Sequence, residues 1–170
     1  MDTTGAPSKQ KKKYLYQLAG ETVAGKSEET YQNAAMQRGI ELENEARSLY
    51  ELVSGESVVQ VGLCVSDGKA GYAASPDGFV GEDGLLEIKC PLISTHVGYL
   101  LANETPNDYF QQMQGQLLVT GRKWLDFMSY YPGLKPLILR VEPDKKFQKA
   151  LAVELEVFCS ELDDIVAKIK

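Results

Sequence analysis

Cysteine and histidine are the scarce chemistries of this chain, with three Cys and one His among 170 residues. Cys64, Cys90 and Cys159 are odd in number and widely spaced, which suits neither a disulfide framework nor a zinc or iron–sulfur site. They read as three small thiols in a reducing compartment. With His96 alone, no multi-histidine metal site can be assembled, so any oxygen-loving cation must be held by carboxylates. No run of eighteen or more apolar residues is present to span a bilayer, and the apolar residues after Lys11, Lys12 and Lys13 alternate with Gln and Glu instead of forming a signal-peptide core. A cytoplasmic protein with no membrane partner is expected. The net charge of −6 lacks the basic balance of a protein that coats nucleic acid, and leaves room for a local basic channel.

What is present is the composition of an ordinary globular protein, 44% hydrophobic and 25% charged, with length enough to bury roughly two thirds of its unfolded surface. Residues 1–8 are small and polar and predict a loosely held tail, with one domain over 9–170. Tyr14, Leu15, Leu18, Ala19 and Val23 recur at helical spacing, and a second, longer helix is expected from Thr30 to about Val53. From Ser57 the texture turns β-branched, and VVQVGLCV, YAASPDGFV and LLEIKCP predict a three-strand meander. STHVGYLLAN and NDYFQQMQGQLLVTG return to helix, the latter with Asn107 as N-cap and Gly121 as its stop. WLDFMSYYP and PLILRVEP supply two further strands, and residues from Asp144 to Lys170 a closing amphipathic helix. The fold class expected is α/β, with a mixed central sheet flanked by helices.

Within LLEIKCP, alternation puts Glu87 and Lys89 on one face of the strand and Leu86, Ile88 and Cys90 on the other. A carboxylate and an ammonium on a strand apolar enough to be central must pair, accept hydrogen bonds or bind a metal. A structural ion pair and an active site satisfy that demand equally well. The SPDG segment ten residues earlier is an ordinary turn sequence. The turn between Gly81 and Gly84 can also fold the strands back so that Asp77 lies beside Glu87. Converging carboxylates repel, and a shared divalent cation, Mg2+ with Mn2+ as substitute, is the economical explanation of their proximity.

Asp77 followed by Glu87-Ile88-Lys89 resembles the signature of the PD-(D/E)xK nucleases, whose core is that of the restriction endonucleases. Four blocks, RGIELENEAR at 38 to 47, SPDG at 75 to 78, LEIKCP at 86 to 91 and YFQQMQGQL at 109 to 117, resemble more closely one branch, the lambda exonuclease-like phage-type alkaline exonucleases. The resemblance runs from about Tyr14 to the C-terminus. It implies that Asp77, Glu87 and the backbone carbonyl of Ile88 hold the metal, that Glu43 approaches it through water, and that Lys89 orients or activates the attacking water. Gln112 and Gln114 match a Q-x-Q helix in which one glutamine and the preceding Tyr109 face the scissile strand, so Tyr109, Gln112 and Gln114 are the expected DNA contacts. Solvated helix faces are the plainer reading of Glu43 and of Gln111, Gln112, Gln114 and Gln116. Lys11, Lys12 and Lys13 stand where relatives have basic DNA contacts, or form a mobile basic tail.

The function so implied is Mg2+-dependent hydrolysis of duplex DNA from a free end, 5'-to-3', leaving a 3' single-stranded tail. A ring-shaped homotrimer and a single-strand annealing protein are the implied assembly and partner, in host cytoplasm for a phage protein or the nucleus for a eukaryotic virus. Relatives carry a further N-terminal block, R-x-G-x-x-T-A-S, whose Arg and Ser bind the 5'-terminal phosphate. No arginine precedes Arg38 here. The alternatives are therefore an endonuclease or partner-dependent nuclease of the same fold, or an idle DNA-binding module.

Overall fold

Leu85, Leu86 and Ile88 make residues 84–89 apolar on both faces, and that strand lies in the middle of the sheet. The computed structural model describes residues 10–27, 34–66 and 71–170. Along the chain lie α1 (Lys11–Ala24), α2 (Ala34–Ser54), β1 (Val58–Val59), β2 (Cys64–Val65), β3 (Ala73–Ala74), β4 (Gly78–Val80), β5 (Gly84–Lys89) and α3 (Ile93–Ala102). A 3-10 turn at Asn107–Tyr109 leads into α4 (Phe110–Thr120), followed by β6 (Trp124–Ser129), β7 (Leu137–Val141) and α5 (Lys145–Ile169). Five strands form one mixed sheet in the order β1-β4-β5-β6-β7, in which only β5 and β6 run parallel. This is the expected α/β class with a mixed central sheet.

The two faces of β5 build two cores. Leu86 and Ile88 pack with Ala46 and Tyr50 of α2 and with Val80, Met128 and Tyr130. Leu85 packs on the opposite side with Met113 and Leu117 of α4 and with Leu125 and Phe127. Helix α5 lies against α4 and α1, forming an outer layer. Its start is capped by Asp144, whose side chain accepts from the Phe147 N–H at 2.9 Å. His96 is a satisfied core residue. Its Nε2 donates to the Lys135 carbonyl at 3.1 Å, and Nδ1 lies 2.7 Å from Ser129 Oγ.

Several boundaries differ from those expected. The meander over 57–90 is split, because β1 pairs with β4 at the sheet edge while β2 pairs with β3 in a separate two-stranded piece beside α4. Partners distant in sequence decide that division, and Gln60 and Gly62 interrupt the apolar run where it occurs. Asn107 is not the N-cap of a long helix: it opens the 3-10 turn, with no side-chain cap, and α4 starts at Phe110. The tail expected over 1–8, Lys9 and the first turn of the helix expected from Thr30 lie outside the described residues. Among the described residues, no helix is long and apolar enough to cross a membrane.

Gly84 sets the spacing of the two central strands. It pairs with Trp124, whose indole occupies the volume that a Cβ would need. Arg140 covers the same ring, 3.6 Å from its centroid, while pairing with both oxygens of Asp126. Gly84→Ala is expected to cost about 1–3 kcal/mol as overpacking. At about 2–4 °C per kcal/mol for a domain of this size, calorimetry should show a clear fall in Tm. Gly20→Ala, where a Cβ meets nothing within 4 Å, is the control. If Gly84→Ala melts with the wild type, the Trp124 contact does not set this spacing.

Candidate active site

Asp77 lies just before β4, and β5 holds it twice. Its N–H donates to the Leu86 carbonyl at 3.0 Å, and its Oδ2 accepts from the Ile88 N–H at 2.6 Å. Pro76 before it is buried, and Gly78 after it lets β1 approach, since a Cβ there would meet Val58. The ladder between β4 and β5 ends at Leu86. A residue's N–H and C=O point to the same side of a strand, so the Ile88 carbonyl emerges beside Asp77.

Glu87 projects toward α4 and is 1% exposed. Both of its oxygens are engaged. Oε1 accepts from Lys89 Nζ and, at 2.7 Å, from Gln112 Nε2, while Oε2 accepts from Gln116 Nε2 at 2.6 Å. Lys89 also has its ammonium 5.1 Å from the ring centroid of Tyr109, which is itself stacked on Phe127. The lysine is thus held between a carboxylate and an aromatic face, with a quarter of its side chain open to solvent.

On the α2 side, Glu43 pairs with Arg47 one turn later, and the same guanidinium nitrogen reaches the Asp77 carbonyl at 3.5 Å. Arg38 donates 2.9 Å bonds to the carbonyls of Cys90 and Pro91, fixing the chain as it leaves β5. These groups surround an open cavity of about 520 Å3 lined by residues including Glu43, Asp77, Ile88, Lys89, Cys90 and Tyr109. Burial, and then the charge of Glu87, pushes the Asp77 carboxyl up to about 7; the Ile88 N–H opposes the rise and Glu43 adds to it. Burial also raises the Cys90 thiol to about 11, so it presents no thiolate to the cavity at neutral pH.

The donors facing the cavity are oxygens. Among the described residues, Asp77 uses only Oδ2 in a hydrogen bond, and the Ile88 carbonyl lies on the same edge. Among those residues, no three His, Cys, Asp or Glu side chains could enclose an ion by themselves. One or two carboxylates with a carbonyl, leaving the remaining positions to water and phosphate, is the usual way that Mg2+ is held. The donor set therefore fits a hard divalent cation, whose charge would relieve the crowding that raises Asp77.

Glu43, Asp77, Ile88, Lys89 and Tyr109 line one cavity, and Glu87 and Gln112 join them through direct bonds. Gln114 does not join them, which corrects the expectation that it faces a DNA strand. It is 1% exposed, its Nε2 donates to the Glu142 carbonyl at 2.9 Å, and its Oε1 accepts from the Asp144 N–H at 2.8 Å. It ties α4 to the start of α5. Lys11, Lys12 and Lys13 lie on α1, outside the group that lines this cavity; Lys11 is paired with Glu161 of α5, and Lys12 lies over the Tyr16 ring. Gln116 and Arg47 were missed as parts of the site. Each lies four residues after a predicted site residue, the spacing that shares a helix face.

A model of the YqaJ-like viral recombinase domain matches residues 2–123. The chain belongs to the YqaJ-like viral recombinase family. The structure is similar to crystal structures of LHK-Exo, an alkaline exonuclease from Laribacter hongkongensis, at 37% identity. In the complex of LHK-Exo with dAMP the TM-score is 0.89, covering 97% of this chain and 86% of that one. A second LHK-Exo structure gives 0.88, with 96% and 85% covered. A phage-related exonuclease from Haemophilus somnus 129PT shares the fold at 15% identity, with a TM-score of 0.75 over 98% of this chain and 87% of that one. No curated protein matched. The resemblance to phage-type alkaline exonucleases drawn from the four sequence blocks is thus borne out for the family.

Proposed function

We propose that this family member is a divalent-metal-dependent DNA exonuclease of the phage recombination type, which resects duplex ends 5'-to-3' and leaves a 3' single-stranded tail. The observation that carries the reading is the convergence of Asp77, Lys89 and the Ile88 carbonyl on one open cavity, with Glu87 bonded to Lys89 behind them. The 37% identity with an alkaline exonuclease supports it, as does the crystallisation of that relative with dAMP, a mononucleotide of the class such an enzyme releases. Mg2+ is the cofactor proposed, with Mn2+ as its substitute. The same reading extends to a ring-shaped homotrimer and a single-strand annealing partner.

Asp77 and the Ile88 carbonyl, with Glu87 behind them, would hold the cation. The chemistry supplied by a cation bound there is charge neutralisation at the phosphate and acidification of a water. Lys89, anchored by Glu87 and Tyr109, places a fixed donor where negative charge builds as a water oxygen attacks phosphorus and the 3'-oxygen leaves with a proton. Glu43, held by Arg47, adds a carboxylate at the cavity wall that can accept a hydrogen bond from water. Tyr109, at the cavity wall, and Gln112, exposed beside it, offer neutral donors to the DNA backbone, positioning a strand without reading its sequence.

A gel assay with linear 5'-phosphorylated, linear 5'-hydroxyl and closed circular duplex, with and without Mg2+, tests the proposal. Mononucleotide release from linear DNA alone, lost with EDTA, is expected. Nicking of circles would replace exonuclease by endonuclease, and no digestion with either Mg2+ or Mn2+ would sink the assignment.

A further inference from the structure

We propose that Gln116 is a positioning residue of the active site, fixing Glu87 and tying it to the segment that carries Asp77. Gln116 is 2% exposed, and its Nε2 donates both to Glu87 Oε2 at 2.6 Å and to the Ser75 carbonyl at 3.3 Å. Ser75 lies two residues before Asp77. One amide therefore bridges the two stretches of backbone that bear the carboxylates, and does so from α4, an element to which neither belongs. Gln112, one turn earlier on the helix, donates to the other oxygen of Glu87 at 2.7 Å. The two amides and Lys89 leave Glu87 a single orientation.

The unmet half of Gln116 makes the case. Its Oε1 is buried and, among the described residues, has no hydrogen-bond partner. An orphaned buried acceptor is destabilising, and a residue present only to fill space would avoid that cost by being Leu or Met. Turning the amide over would set Oε1 against Glu87 Oε2, acceptor facing acceptor. The side chain is held in the orientation that serves the carboxylate at its own expense. A cavity of about 420 Å3 lies beyond Gln112 and Gln116, lined also by Tyr72, Leu151 and Leu155. The two amides stand between that space and Glu87, and with Lys89 they hold both oxygens of the carboxylate.

The inference rests on the proposed function, in which Glu87 is a metal ligand. Groups that orient a ligand typically contribute ten- to a hundred-fold in metal affinity or activity. For Gln116→Met, calorimetric titration with Mn2+ is expected to show a Kd weakened by about ten- to a hundred-fold, with kcat on linear duplex falling by a similar factor. KM for DNA should stay within about two-fold, since Gln116 touches no strand. Tm in EDTA should fall only modestly, because loss of the donor to the buried Glu87 is partly offset by removal of the orphaned acceptor. Unchanged Mn2+ affinity and kcat in folded Gln116→Met would overturn the inference and reduce Gln116 to a packing residue. If that variant does not fold, Gln116→Asn, which keeps the amide but withdraws it by one methylene, is held to the same readings. A wild type that binds no Mn2+ would overturn the proposed function and this inference together; wild type and variants binding equally would overturn the inference alone.

Discussion

Replacing Lys89 by methionine is expected to lower kcat on linear duplex DNA by on the order of a thousand-fold, with KM changed only a few-fold. Methionine keeps the apolar stem against the Tyr109 ring and removes the cation that the structure places between Glu87 and that ring. The fold should survive. Removing one partner of a buried ion pair usually costs about 3–5 kcal/mol, but Glu87 keeps donors on both oxygens from Gln112 and Gln116, and Lys89 is partly exposed. Lys89→Arg should not rescue activity. Its planar fork is longer and cannot place a single donor between Glu87 Oε1 and Tyr109. Steady-state kinetics on end-labelled duplex, with circular dichroism for folding, reads both parts. A methionine variant retaining a tenth of the wild-type kcat would remove Lys89 from the chemistry.

The period-2 alternation of LLEIKCP was enough to place Glu87 and Lys89 together, because the pleat of a central strand is a local property and β5 obeys it. Asp77 was legible through the turn, since Gly81 and Gly84 leave β4 and β5 few ways to pair. The helical face was harder. At 3.6 residues per turn, Gln112 and Gln114 lie about 200° apart, so the Q-x-Q pair cannot turn both amides to one site, whereas Gln112 and Gln116 can. The structure divides them accordingly, with Gln114 facing the start of α5 and Gln116 facing Glu87. Nothing local distinguishes the two, because which side of α4 meets β5 depends on the packing of Met113 and Leu117 against Leu85. Arg47 was hidden for a similar reason. Its pairing with Glu43 follows from spacing, but its reach to the Asp77 carbonyl needs α2 laid across the sheet. The split of the 57–65 run also came from distant partners, one half drawn to β4 and the other to β3.

Asp77→Asn is expected to make the metal-free protein more stable at pH 8 while abolishing its nuclease activity. The Asp77 carboxyl is raised from 3.8 to about 7 by burial and by Glu87. Between those values the folded state holds a proton that the unfolded chain has released, so stability falls as the pH rises from about 4 to about 7 and stays at its lowest above that. At pH 8 the penalty is fully present. The asparagine carries no charge, its Oδ1 can still accept from the Ile88 N–H, and its amide can face Glu87 or Glu43. The rise from 3.8 to about 7 corresponds to about 4 kcal/mol at 1.36 kcal/mol per pH unit. Relief of about half of it, on the order of 2 kcal/mol, is expected, because the buried asparagine amide keeps a desolvation cost of its own. At about 2–4 °C per kcal/mol, Tm in EDTA should rise by about 4–8 °C. The advantage should shrink steadily as the pH is lowered toward 4, where the wild-type carboxyl is protonated and equally uncharged. Adding Mn2+ should reverse the order, raising the wild-type Tm by mass action and leaving Asp77→Asn unmoved. Because the ligand must be ionised, metal affinity and kcat/KM should both climb as the pH rises through about 7. The burial that destabilises the empty site thus favours the alkaline range, where Asp77 is charged before any cation arrives. An asparagine variant less stable than wild type in EDTA at pH 8 would mean that Asp77 carries no such penalty, and the pH dependence drawn from it would fall as well.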